Sequence, residues 1–147
     1  DIQRSRGLGD VYKRQAKRYG GKLMPGDAGG EAKANQWSLW AISEIEPLQM
    51  QIVVQKFFTP EERRDEGVIE RAAKGLARPL DVLNRHLSGQ KYLLGEEFSI
   101  ADLNVAGVMD LLSMVEFDLH NWPDVERWLN DCRERPSYGK AKVVGVE

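Results

Sequence analysis

Between residues 31 and 58, Ala34, Trp37, Ala41, Ile45, Leu48 and Ile52 recur at steps of three and four, the spacing that gathers side chains on one helical face. The pattern predicts a long amphipathic helix. Pro47 lies inside it and removes one backbone donor, which predicts a kink near Ser43 to Pro47. A second helix is predicted to start at Thr59-Pro60-Glu61-Glu62, with Thr59 at the N-cap, Pro60 at the first helical position and Glu62 three residues after the cap. Its core face reads Ala72, Ala73, Leu76, Leu80, Leu83 and Leu87, with Pro79 inside, and Ser88-Gly89 is its stop. The charged opening, Glu61 to Glu66, is expected to be solvated.

Residues 99 to 115 are apolar on almost every side, including Ile100, Leu103, Val105, Val108, Met109, Leu111, Leu112, Met114 and Val115. A helix hydrophobic all round is expected at the centre of a domain. Pro123 then opens a further helix with Val125, Trp128, Leu129 and Cys132 on one face, and Pro136 closes it. A short last helical stretch is expected at 137–143. No β-rich run, hairpin dipeptide or repeat is present, so the class is all-α, a bundle of four to five helices. Residues 1–15 have no sustained period and read as an unstructured arm or sequence remnant. Residues 16–30 read as a linker, since five glycines and Pro25 fall between Tyr19 and Gly30. The helical domain is assigned to 31–147.

Composition narrows the function classes. With 41% hydrophobic and 30% charged residues, the chain has enough apolar surface to fold. A net charge of -2 leaves no broad positive field for nucleic acid. The single cysteine, Cys132, cannot form an internal disulfide, which suits a cytoplasmic protein. No apolar run reaches membrane-spanning length, and no membrane partner is expected. His86 and His120 lack the paired spacing of metal ligands, so no metal is expected and both read as surface or capping residues. The chain opens on Asp1, and a longer parent is expected.

One segment is more specific than the rest: Tyr92-Leu93-Leu94-Gly95-Glu96-Glu97-Phe98-Ser99-Ile100-Ala101-Asp102. Ser99 and Asp102 stand at the two positions of a capping box, and Phe98 and Leu103 at those of a hydrophobic staple. Followed by a near-uniformly apolar helix, this resembles the C-terminal domain of cytosolic, bacterial-type glutathione transferases, which place such a box before their buried sixth helix. YGGKLMP resembles the exit from that family's first domain, the Trp37 to Pro47 stretch its fourth helix, and WPDVERWLNDCRERPSYGKA its closing helices. Together these span about 16–144.

The resemblance implies a parent enzyme that conjugates the glutathione thiolate to electrophiles. In that family a thioredoxin-like first domain binds glutathione and supplies the catalytic Ser, Tyr or Cys. Nothing before Ala16 resembles it; Tyr12 and Tyr19 lie outside the required strand-to-helix context, so no catalytic residue is expected here. Glutathione is the co-substrate of the full-length parent, and this chain alone is expected to bind none and to be inactive. What the chain implies instead is one wall of the site for a hydrophobic electrophilic small molecule, with Trp37, Trp40, Ser43, Glu44 and Met109 as candidates. Core packing competes with ligand contact for both tryptophans, and at most one is expected to face the cleft. A homodimer is implied for the full-length protein, with Val53, Val54, Phe57 and Phe58 as candidate contributors, for which ordinary packing against the second helix is an equal alternative. The alternative is a noncatalytic docking module of the kind found in translation-factor and synthetase complexes. Dehalogenase, isomerase or reductase chemistry on the same fold also stays open.

Overall fold

The structure is a computed structural model and describes residues 23–137. The expected arm at 1–15, the first part of the linker and nearly all of the stretch at 137–143 lie outside the described residues. Within them the chain is all-α, with no named strand and one isolated antiparallel bridge between Tyr92 and Gly95.

The first helical rod is α1 (Ala28–Trp40), a π-helical segment (Ala41–Ile45), α2 (Glu46–Val53) and a second π segment (Val54–Phe58). It starts three residues before the predicted position because Asp27 caps it, accepting from the Gly30 N–H at 2.8 Å. Glycines at 29 and 30 therefore lie in a helix rather than a linker. The irregularity predicted from Pro47 takes the form of the π segment: the Glu46 N–H donates to Ala41 O, five residues back, immediately before the proline. The rod buries Ala34, Ala41, Ile45, Ile52 and Val53, while Trp37 and Leu48 pack half-buried against the same core.

The start signal at Thr59 produces only a single 3-10 turn (Glu61–Arg63). Thr59 uses its hydroxyl to donate to Val54 O at 2.9 Å, closing the preceding helix instead of opening the next. Arg64 reinforces that closure by donating to Lys56 O and Thr59 O. The long helix α3 (Glu66–Leu87) starts later, with Asp65 accepting from Val68 N–H at 3.2 Å. Residues 61–66 are exposed, as their charge predicts. Ala72, Leu76, Leu80, Leu83 and Leu87 are buried, and Ala73 is half-buried. Gly75 is where α2 crosses closely: a Cβ there would stand 3.2 Å from both Leu48 methyls. The helix ends at the predicted stop, with Gly89 at φ +80, the left-handed conformation that glycine adopts without steric cost.

α4 (Ile100–Met114) and α5 (Pro123–Arg133) complete the bundle. α4 packs on both halves of the first rod, and α5 packs on α3 and α4. α4 is not enclosed on every side, contrary to its composition: Leu103 and Met114 are 47% and 55% exposed, because neither the rod nor α5 covers that face. Trp122, at the N-cap of α5, makes no cap bond to its own helix. Asn84 of α3 does so, its Oδ1 accepting from the Asp124 and Val125 N–H groups. Arg127 of α5 returns the favour of position by donating to Leu87 O and Gln90 O at the end of α3.

The capping box is present. Ser99 Oγ accepts from the Ala101 N–H at 3.2 Å, and Asp102 Oδ2 accepts from the Ser99 N–H at 2.9 Å and the Ser99 hydroxyl at 3.0 Å. The other carboxylate oxygen, Oδ1, accepts from the Leu93 N–H and from the Trp128 indole N–H, each at 2.8 Å. Asp102 is fully buried, so four donors, two per oxygen, replace the water it lost. Phe98 lies edge-on to Tyr92 with the Arg135 guanidinium over its ring. Leu103, its expected staple partner, keeps the exposure noted above.

Two predictions follow from this core. Asp102→Asn keeps the side-chain shape but turns an NH2 group toward donors, and its urea-unfolding midpoint is expected to fall by the equivalent of about 3 kcal/mol or more. Ser99→Ala should cost about 1 kcal/mol; equal effects of the two would contradict the four-donor arrangement. The second prediction concerns Cys132, which is buried, and whose thiol pKa is pushed from its ordinary value of 9.0 up to about 12 by burial first, then by Asp102 and Asp131. Its thiol therefore stays protonated at pH 8. Reaction with an aromatic disulfide reagent should run at least about a hundredfold slower than for a free thiol, and reach full rate only in denaturant.

Candidate functional site

α3 packs closely on α2 and on the first π segment but not along α1, so the two helices diverge toward the start of α1. The wedge between them is a groove of about 510 Å³, lined by Lys33, Gln36, Trp37, Trp40, Val82, His86, Gln90, Leu93 and Leu94. That volume falls within the ordinary range of small-molecule sites, about 300 to 1,000 Å³. Trp37 and Trp40 meet edge to face with ring centroids 5.2 Å apart, and Trp37 lies 4.5 Å from the His86 ring. Both tryptophans line the same groove, although their spacing predicts that at most one could. Residues three apart differ by about 60° around a helix, and a diverging neighbour leaves room for both.

His86 is a half-buried residue with defined partners rather than a free surface side chain. Its Nε2 lies 2.7 Å from Leu93 O and 2.8 Å from the Gln90 side-chain nitrogen. Leu93 O can only accept, so Nε2 carries the proton. That one hydrogen is committed to Leu93 O, so the contact with Gln90 adds no second full hydrogen bond at Nε2. Leu93 is held from both sides, its carbonyl by His86 and its N–H by Asp102. Nothing in the sequence near His86 signals the bond to Leu93 O, because Leu93 sits in a turn whose N–H is held by Asp102.

The other candidates do not join this groove. Met109 is fully buried and packs in the core, so it does not line an open wall. Ser43 and Glu44 are exposed on the π segment, with the Ser43 hydroxyl donating to Trp40 O at 3.3 Å. Val53 is likewise a core residue, whereas Val54, Phe57 and Phe58 are exposed at 42%, 54% and 76%. His120 is exposed between Asp118 and Glu126. Among the described residues no group of three or more His, Cys, Asp or Glu could hold a metal ion, and no helix is long and apolar enough to cross a membrane.

Comparison with known proteins assigns the fold. The model of the glutathione S-transferase C-terminal domain family matches residues 45–136, more than half of the chain, from the π segment through α5. Glutathione S-transferase GstB of Escherichia coli (strain K12) is 27% identical over 132 residues, covering 89% of this chain and 64% of that protein. Glutathione S-transferase 3 of Zea mays is 32% identical over 126 residues, covering 82% and 56%. Among solved structures, a glutathione transferase from Burkholderia graminis, with two glutathione molecules bound per subunit, superimposes with a TM-score of 0.75 at 28% identity, covering 85% of this chain and 54% of that one. The chain thus spans less than two thirds of each of these relatives. A family match that contains the Asp102 box, set in an all-helical bundle of the same shape, has one reading: the chain belongs to the glutathione S-transferase C-terminal domain family.

Proposed function

We propose that this chain is the electrophile-side domain of a glutathione transferase, whose whole protein adds the glutathione thiolate to hydrophobic electrophiles in the cytoplasm. The observation that carries the reading is the family match over residues 45–136. Relatives described as glutathione transferases, one with glutathione bound, support it and do not favour the docking-module alternative.

On this reading the chain contributes binding surface rather than a nucleophile or base. Its thiol is buried and held protonated, and His86 is committed to Leu93. Trp37 and Trp40 remain the electrophile-side candidates, with Ser43 and Glu44 as exposed positions farther along the same rod. Exposed Val54, Phe57 and Phe58 support a homodimer of the whole protein, since clustered apolar side chains of this kind commonly mark contact surfaces.

The 147-residue chain alone should not conjugate glutathione to 1-chloro-2,4-dinitrobenzene above the buffer rate. Joined behind the glutathione-binding half of a relative such as GstB, it should support turnover, and Trp40→Ala in that chimera should raise KM for the electrophile severalfold. Turnover by the chain alone would contradict the proposed division of labour.

A further inference from the structure

The glycine-rich stretch between Tyr19 and Gly30 reads as a linker, yet where it meets the bundle it is anchored to two different helices. The first anchor is the start of α4. A helix leaves its opening N–H groups without partners in its own ladder, and in α4 the Ile100 N–H donates to Leu23 O at 2.9 Å. The second anchor is the start of α1. The Pro25 ring is seated against Gly30 so closely that a Cβ on residue 30 would overlap its Cβ and Cγ. Gly30 is itself held, its N–H donating to Asp27 Oδ1 at 2.8 Å.

Leu23, Met24 and Pro25 are accordingly half-buried, and they face Leu94, Phe98 and Ser99 across a cleft. Only Met24 separates the two anchored residues, so no length of free chain is left between them in which to bend. Neither anchor has a sequence signal. A carbonyl is common to every residue, and proline and glycine each read as breakers of regular structure.

We propose that residues 23–25 act as a strap joining the starts of α1 and α4, so that the chain preceding Leu23 is held at a fixed angle to the bundle instead of swinging on a flexible hinge. α4 starts at the Ser99–Asp102 box, so the strap also ties the entering chain to the carboxylate network of the core. In the whole protein it would set how the glutathione-binding half faces this domain. That consequence rests on the transferase reading. The strap does not, and it is tested on this chain alone.

The test is 15N relaxation of the 147-residue chain, read at the Met24 amide. Its order parameter should be about 0.85, the value of rigid backbone. Ile100→Pro removes the donor but keeps a residue favoured at the first helical position. Ser99, at φ -129 and ψ 176, already has the extended backbone of a residue before proline. Gly30→Ala forces Pro25 off its seat while raising the helix propensity of α1. Each variant should lower the Met24 order parameter below about 0.6, with the Trp128 indole N–H still protected from exchange as the sign of a folded core. Ile100→Val shortens the side chain but keeps the N–H, and should leave Met24 at the parent value. A mobile Met24 in the parent would overturn the proposal, as would one that stays ordered in Gly30→Ala or in a folded Ile100→Pro, or equal loosening by Ile100→Val. Gly30→Ala decides if Ile100→Pro does not fold.

Discussion

A buried carboxylate has to replace the hydration it loses, and Asp102 does so with four donors drawn from three separate parts of the chain. Ser99 belongs to its own helix start, Leu93 to the turn after α3, and Trp128 to the middle of α5. None of these donors can move without leaving a charge-bearing oxygen short of a partner. The positions of the α4 start, the Tyr92–Gly95 turn and α5 are therefore solved together. The turn itself closes by reciprocal Tyr92 and Gly95 hydrogen bonds, with Gly95 at φ +133, a conformation that side-chain-bearing residues rarely adopt.

That constraint extends to the surface. Leu93, held at its N–H by Asp102, presents its carbonyl to His86, and the His86 ring forms part of the wall shared with Trp37. The groove is thus built on the same network that closes the core, and a residue named only for capping helps to shape its wall. Fold and candidate site are coupled through one peptide segment rather than through a contact between Asp102 and the groove.

Much of the fold is legible in the sequence because it depends on local patterning. Helical periodicity, Pro123 at the first position of α5, Gly89 after α3 and the Ser99–Asp102 spacing each act within a few residues. The misreadings arise where a distant partner competes with a local signal. Thr59 has the spacing of an N-cap, but its hydroxyl is taken by Val54 O and the helix starts six residues later at Asp65. Met109 sits on an apolar helix that could face a cleft, and packing places it in the core instead. The candidate site was legible only in part: periodicity marks Trp37 as an apolar-face residue and the family resemblance adds Trp40, but the divergence of α1 from α3 that opens the groove is a tertiary fact. Asn84 and Arg127, each capping the other's helix, leave no sequence signal beyond the missing side-chain cap at Trp122.

The central claim is that Asp102 ties the 92–95 turn, α4 and α5 into one cooperative unit. Native-state hydrogen exchange tests it most directly, read at the Leu93 and Ser99 amides and the Trp128 indole N–H over increasing urea. All three protons are expected to exchange only through global unfolding, with a shared free energy and urea dependence matching those of buried amides in α3. Exchange of the Leu93 amide by a low-energy local opening, while the Trp128 indole stayed protected to the global limit, would contradict the account.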